Sequence, residues 1–261
     1  LVGGLLPAWV EMTHTRTQTI MSFVAGLMLG VAFYHLLPHS IASLEGLGAV
    51  DVSVWWMMVG LVVMLLLLRM FHFHQHEFPV SGDAHHAHDP VELPTHTLGW
   101  LGIALGLGLH TVIDGVALGA AMQGEVATNA GGGVLGIGVF LAILLHKPLD
   151  ALSITSIMQA GGWSRRWQLG ANLVFALMCP LGALLFFFGV EMFGDTGRYA
   201  VGVALAFSAG AFVCIALSDL LPEVHFHSHD RVRLTLAFIV GILLAYGLGY
   251  FEPVALHAAP G

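Results

Sequence analysis

HTVIDG, residues 110–115, lies inside LGWLGIALGLGLHTVIDGVALGAAM (98–122), a run of apolar residues and glycines long enough to cross a bilayer. Within that run a histidine is followed, one helical turn later, by an aspartate. The arrangement recurs in GIGVFLAILLHKPLDALSI (136–154), which carries His146 and Asp150. An ionisable side chain at mid-bilayer costs at least ~2.5–3.5 kcal/mol even on the lenient insertion scale. Two such pairs in neighbouring spans therefore need a reason.

The rest of the chain is of the same character. Of its 261 residues 57% are hydrophobic and only 9% charged, against roughly 25% charged in a soluble domain. Long apolar runs, rather than alternating ten-residue segments, predict an all-α integral membrane protein and not a barrel. Runs fall at about 18–44, 52–71, 96–122, 132–160, 167–190, 199–223 and 232–251. LVGGLLP, at the start, reads as the tail of another apolar segment, so an eighth helix is expected, truncated in this chain. The whole of 1–261 is expected to form a single transmembrane domain with a loop at about 72–96. The net charge of -8 has no basic stripe, which excludes nucleic acid as a partner. Cys179 and Cys214 both lie in apolar runs and do not resemble half-cystines.

Lys and Arg concentrate in cytoplasmic loops. If the spans alternate, Arg16, Arg69, Arg165, Arg166, Arg231 and Arg233 fall on one side and Arg198 on the other, with Lys147 inside a span. That bias places the 71–96, 160–167 and 223–232 loops in the cytoplasm and both termini outside. A plasma membrane, or a bacterial inner membrane, is the expected location. SFVAGLMLGVAFYHLLPH (22–39) aligns without gaps on AFSAGAFVCIALSDLLPE (206–223). The two copies run in opposite directions through the membrane, as in the inverted repeats of many secondary transporters.

Four helices carry ionisable pairs at i, i+4: His35/His39, His110/Asp114, His146/Asp150 and Asp219/Glu223. That spacing sets both members on one face, about 6 Å apart along the axis. His110 and His146 lie midway along antiparallel neighbours and can face each other, with Asp114 one turn outward and Asp150 one turn inward. Two imidazoles and two carboxylates suit a divalent transition metal, Zn²⁺ above all, with Cd²⁺, Fe²⁺ and Mn²⁺ also compatible. His35 and His39 lie toward the outer end and Asp219 and Glu223 at the inner end, so the pairs make a ladder. A ladder points to conduction rather than to a structural metal. The alternative class is an intramembrane zinc hydrolase, in which the metal activates water. It would need neither ladder nor inverted repeat. The metal is thus read as cargo and not as a cofactor.

At the inner end lie more histidines. FHFHQHEFPVSGDAHHAHDPVELPTH (71–96) contains His72, His74, His76, His85, His86, His88 and His96, and HFHSHD (225–230) adds His225, His227 and His229. Such tracts bind metal weakly through neutral imidazoles. Gly102/Gly106, Gly115/Gly119 and Gly132/Gly136 are GxxxG pairs on the two ligand-bearing helices, which lets backbones approach. Pro148 removes the hydrogen bond to the Leu144 carbonyl, and a kink is expected beside the ligands.

HLLPH (35–39), HTVIDG (110–115), HKPLD (146–150) and DLLPE (219–223), with a His-rich loop after the third helix of eight, resemble the ZIP family of zinc and iron transporters. The resemblance covers essentially the whole chain. It implies a 3+2+3 bundle of eight helices, divalent metal moving into the cytoplasm, and a midplane site shared by the fourth and fifth helices. By position that site maps to His110, Asp114, His146 and Asp150. It implies no enzymatic activity and leaves a homodimer open. The family's fourth-helix motif usually reads H-N-x-P-E-G, where this chain has Thr111, Ile113 and Asp114. Lys147 and Cys179 stand where polar or acidic residues are frequent, and Pro148 comes one residue early. Thr111, Lys147 and Cys179 are the positions that would build a second, adjacent metal site, which argues against a binuclear centre. Lys147 is expected instead to neutralise Asp150, or Asp114 on the facing helix, when no metal is bound. The competing expectation is a lysine that snorkels toward a water-filled vestibule.

Overall fold

The computed structural model describes residues 14–44, 46, 48–72, 99–127, 134–220 and 231–249. Seven of the helices among them are long and apolar enough to cross a membrane. α1 starts as His14–Val31, passes through a π-helical turn at Ala32–Leu36 and continues as Leu37–Leu44. α2 is Ala49–His72, α3 is Gly99–Ala127 and α4 is Val134–Ala160. α5 is Arg165–Gly189, prolonged by a 3₁₀ segment at Val190–Thr196. α6 is Gly197–Ile215, ending in a second π-helical turn at Ala216–Leu220, and α7 is Arg231–Gly249. All seven full spans read from hydropathy are present. The stub before Pro7 lies outside the described residues.

The π-helical turns have a shared cause. Pro38 has no N–H to give the Tyr34 carbonyl and its ring would clash with that oxygen. The helix widens just upstream, and the Leu37 N–H bonds the Ala32 carbonyl, five residues back. Aligning 22–39 on 206–223 carries Ala32–Leu36 onto Ala216–Leu220 and Pro38 onto Pro222. The same defect therefore occurs at the same place in both copies.

Glycine contacts repeat in the same way. A Cβ on Gly26 would strike the Phe238 carbonyl, and one on Gly241 would strike that of Phe23, so α1 and α7 meet backbone to backbone. The repeat mates of Gly26 and Phe23 are Gly210 and Phe207. A Cβ on Gly210 would strike the Met57 carbonyl, and one on Gly60 would strike that of Phe207. The α1–α7 and α6–α2 pairs are therefore two copies of one unit. Between helices in lipid there is no hydrophobic drive, so such close approach supplies the packing. Ser22 adds a hydroxyl bond to the Leu234 carbonyl at 2.7 Å, and the paired Ser40 and Ser53 hydroxyls lie 2.9 Å apart.

Gly115 and Gly119 do bring a backbone close, as their spacing leads one to expect, and the backbone is that of α5 rather than α4. Their missing side chains admit Cys179, Gly182 and Ala183 of α5, so α3 runs alongside α5 at backbone contact. Gly136 meets only the Glu125 and Met122 side chains at ordinary distances. This leaves room between α3 and α4 for the side chains that face each other there. α4 continues as one helix through Pro148.

The contacts between helices also sort the arginines. Arg16, Arg69, Arg165, Arg166, Arg231 and Arg233 lie at one end of the bundle. Arg198 lies at the other, where its guanidinium bonds the Ala42 carbonyl at 3.4 Å. Cys179 and Cys214 are free thiols.

Candidate metal centre

α3 and α4 are antiparallel, and their His-x-x-x-Asp faces meet. His110, Asp114, His146 and Asp150 are all buried and each offers one ligand atom, the four atoms lying within 4.8 Å of one another. The partners are crossed: each histidine is level with the aspartate of the other helix. His146 Nε2 is 3.2 Å from Asp114 Oδ2 and His110 Nε2 is 3.3 Å from Asp150 Oδ2. Within a helix, His110 Nε2 to Asp114 Oδ2 is 3.4 Å and His146 Nε2 to Asp150 Oδ2 is 3.9 Å. The two rings, expected to face each other, stand 5.6 Å apart between centroids. Since HTVID and HKPLD match position for position, the two crossed contacts are one contact seen from either side of a local dyad.

These lengths suit a cation. A tetrahedral ion with bonds of about 2.1 Å to N and O has ligand–ligand edges of about 3.4 Å. The tautomer of His146 points the same way. Its Nδ1–H donates to the Ala142 carbonyl at 2.8 Å. With the Nδ1 proton so held, Nε2 is the ring atom turned toward Asp114 Oδ2, at 3.2 Å, and in a neutral ring it is the one free to ligate a cation. His110 Nδ1 and Asp114 Oδ1 are buried with no hydrogen-bond partner among the described residues, which leaves the centre further short of satisfied polar atoms.

Lys147 is at the edge of this group. Its Nζ is 2.6 Å from Asp114 Oδ2 and 3.0 Å from Asp150 Oδ2. It also donates to Thr111 Oγ1 at 3.0 Å, lies 3.5 Å from His110 Nε2, and stands over the Phe175 ring at 5.2 Å. The ammonium thus reaches both carboxylates, where the sequence leaves the choice between them open. Thr111 and Lys147 are equivalent positions of the two motifs, and they are where the dyad breaks. Two participants are not legible in the sequence: Phe175, one of sixteen phenylalanines, and the Ala142 carbonyl, a backbone group.

His35 and His39 are buried but are not in the four-residue group. His35 sits on the first π-helical turn, where its Nε2–H donates to the Ala245 carbonyl of α7 at 2.7 Å. His39 Nδ1–H donates to the His35 carbonyl at 2.8 Å. Asp219 occupies the equivalent second turn; its side chain, with that of His72, lies outside the described residues. So do Glu223, the histidines from His74 to His96, and His225, His227 and His229.

The family model for the ZIP zinc transporters matches residues 72–249. The zinc transporter ZIP9 of Micropogonias undulatus is 32% identical over 88% of this chain and 83% of its own length. ZIP9-B of Xenopus laevis is 30% identical over 88% and 84%. Human zinc transporter ZIP1 is more distant, at 23% over 89% and 78%. With seven apolar spans among the described residues and a buried His/Asp cluster, this chain belongs to the ZIP zinc transporter family and is a multi-pass integral membrane protein.

Proposed function

We propose that the protein carries divalent metal, zinc first among candidates, across its membrane into the cytoplasm, one ion at a time, through His110, Asp114, His146 and Asp150. The observation that carries this reading is the convergence of four buried ligand atoms from two antiparallel helices within 4.8 Å. A hydrated dication gives up its water only where donors replace it, and two imidazoles with two carboxylates do so for Zn²⁺. The inward direction rests on the arginine-rich end facing the cytoplasm. His35 and His39 are then the outer approach, and Asp219 and Glu223 the inner exit. A hydrolase gains no support from membership of a transporter family.

The cytoplasmic histidines are read as a collector of released ions and not as part of the obligatory path. Replacing His74, His76, His85, His86 and His88 by Ala or Ser is expected to lower metal binding by the loop while zinc uptake into proteoliposomes continues. The same assay, run across Zn²⁺, Cd²⁺, Fe²⁺ and Mn²⁺, tests the function itself. Uptake of none of these ions would refute it. Complete loss of uptake in the loop variant, with normal insertion, would move the loop into the pathway.

A further inference from the structure

Lys147 is the only lysine in the chain. It stands in the middle of the membrane against the ligands of the proposed site, with a side chain only 18% exposed. From this geometry we infer that the Lys147 ammonium is a tethered counter-ion which the transported metal must displace. It occupies the carboxylates when the site is empty and withdraws to Thr111 and the Phe175 ring when metal binds. The inference rests on the His110/Asp114/His146/Asp150 reading and adds to it a determinant of affinity and of the return step.

The same oxygen atoms serve both cations. Nζ contacts Oδ2 of Asp114 and Oδ2 of Asp150, and these are also the atoms nearest the histidine Nε2 positions. A metal held by those oxygens and an ammonium at 2.6–3.0 Å from them would repel strongly in a site of low dielectric. One must yield. The structure supplies somewhere to go. Thr111 Oγ1 accepts from Nζ at 3.0 Å while donating its own proton to the Leu107 carbonyl at 2.7 Å, which fixes its lone pairs. The face of Phe175, its centroid 5.2 Å from Nζ, offers a cation–π contact as well. These partners need no carboxylate, so the lysine keeps two attractive contacts after displacement.

The consequence for transport follows from charge. Two carboxylates and one ammonium leave the empty site with a single net negative charge, whereas the carboxylates alone would leave two. Buried unpaired charge is costly to move through a bilayer, so the lysine lowers the barrier for the empty carrier to return. It also competes with metal and weakens binding. Slower return and tighter binding are therefore expected together when the charge is removed.

Exchange of isotopic zinc with zinc on the far side needs no empty return, and net uptake does. In proteoliposomes, Lys147→Met is expected to cut net ⁶⁵Zn²⁺ uptake at least tenfold, leave exchange within twofold, and raise apparent zinc affinity about tenfold. Lys147→Arg should restore net uptake in large part. Equal loss of exchange and net uptake in an inserted variant, unchanged net uptake, or weaker zinc binding would each overturn the inference. The wild-type protein gives a reading that needs no variant. With ¹⁵N-lysine labelling, the single Nζ resonance should move on saturation with Zn²⁺, and an unmoved resonance would refute displacement. Failure of the parent reading looks different, since His110→Ala would then retain both uptake and exchange.

Discussion

His110→Ala and Asp150→Ala are each expected to abolish metal uptake while the protein still inserts. Each removes one of four ligand atoms that lie within 4.8 Å of one another, and three donors replace a hydration shell poorly. Loss of an outer-shell partner at a metal site commonly costs ~10–100-fold, so loss of a direct ligand should exceed that and reach background. Asp150→Ala leaves Lys147 paired with Asp114 at 2.6 Å, so the buried ammonium keeps a counter-charge and the bundle has no reason to unfold. His110→Ala removes a ring whose Nδ1 has no hydrogen-bond partner among the described residues, and the Asp114 and Asp150 oxygens that lose its Nε2 keep Lys147 at 2.6 and 3.0 Å. Uptake near the wild-type level in either variant, measured at equal inserted amounts, would contradict the site assignment.

The second large effect is on assembly. Gly210→Leu and Gly26→Leu, at equivalent positions of the repeat, should each collapse the yield of monodisperse protein in detergent. Even the Cβ would meet the Met57 carbonyl in one case and the Phe238 carbonyl in the other. Backbone atoms cannot rotate away, so the helices must part. Overpacking costs about 1–3 kcal/mol where side chains can yield, and more is expected where they cannot. Gly247→Ala is the control, because a Cβ there would meet nothing within 4 Å. Removing a helical glycine at that position should be neutral or raise stability by about 0.5–1 kcal/mol. Equal melting of the Gly210 and Gly247 variants, followed by size-exclusion thermostability, would show that the close approach does not hold the helices together.

What the sequence discloses, and what it does not, divides along physical lines. Spans are readable because hydropathy needs only length. The repeat is readable from 22–39 and 206–223, and the paired π-helical turns and Gly26/Gly210 contacts give it a structural basis. The four proposed ligands are readable because i, i+4 spacing fixes a face. The crossed pairing of His110 with Asp150 and His146 with Asp114 is not, since it depends on the register between two helices, which no spacing within one helix encodes. The partner of Gly115 and Gly119 is hidden for the same reason: a small-residue stripe says that a backbone comes close, not whose. Lys147 stands out in the sequence, but its reach to both carboxylates requires the facing helix, and Phe175 beneath it carries no local signal.

Anomalous scattering from zinc-soaked crystals bears most directly on the proposal that one ion is carried at a time by four ligands from α3 and α4. One strong peak is expected, about 2.0–2.2 Å from His110 Nε2, His146 Nε2 and an oxygen each of Asp114 and Asp150. A second strong peak within about 4 Å of the first, or zinc bound elsewhere in the bundle with these four residues unligated, would contradict it.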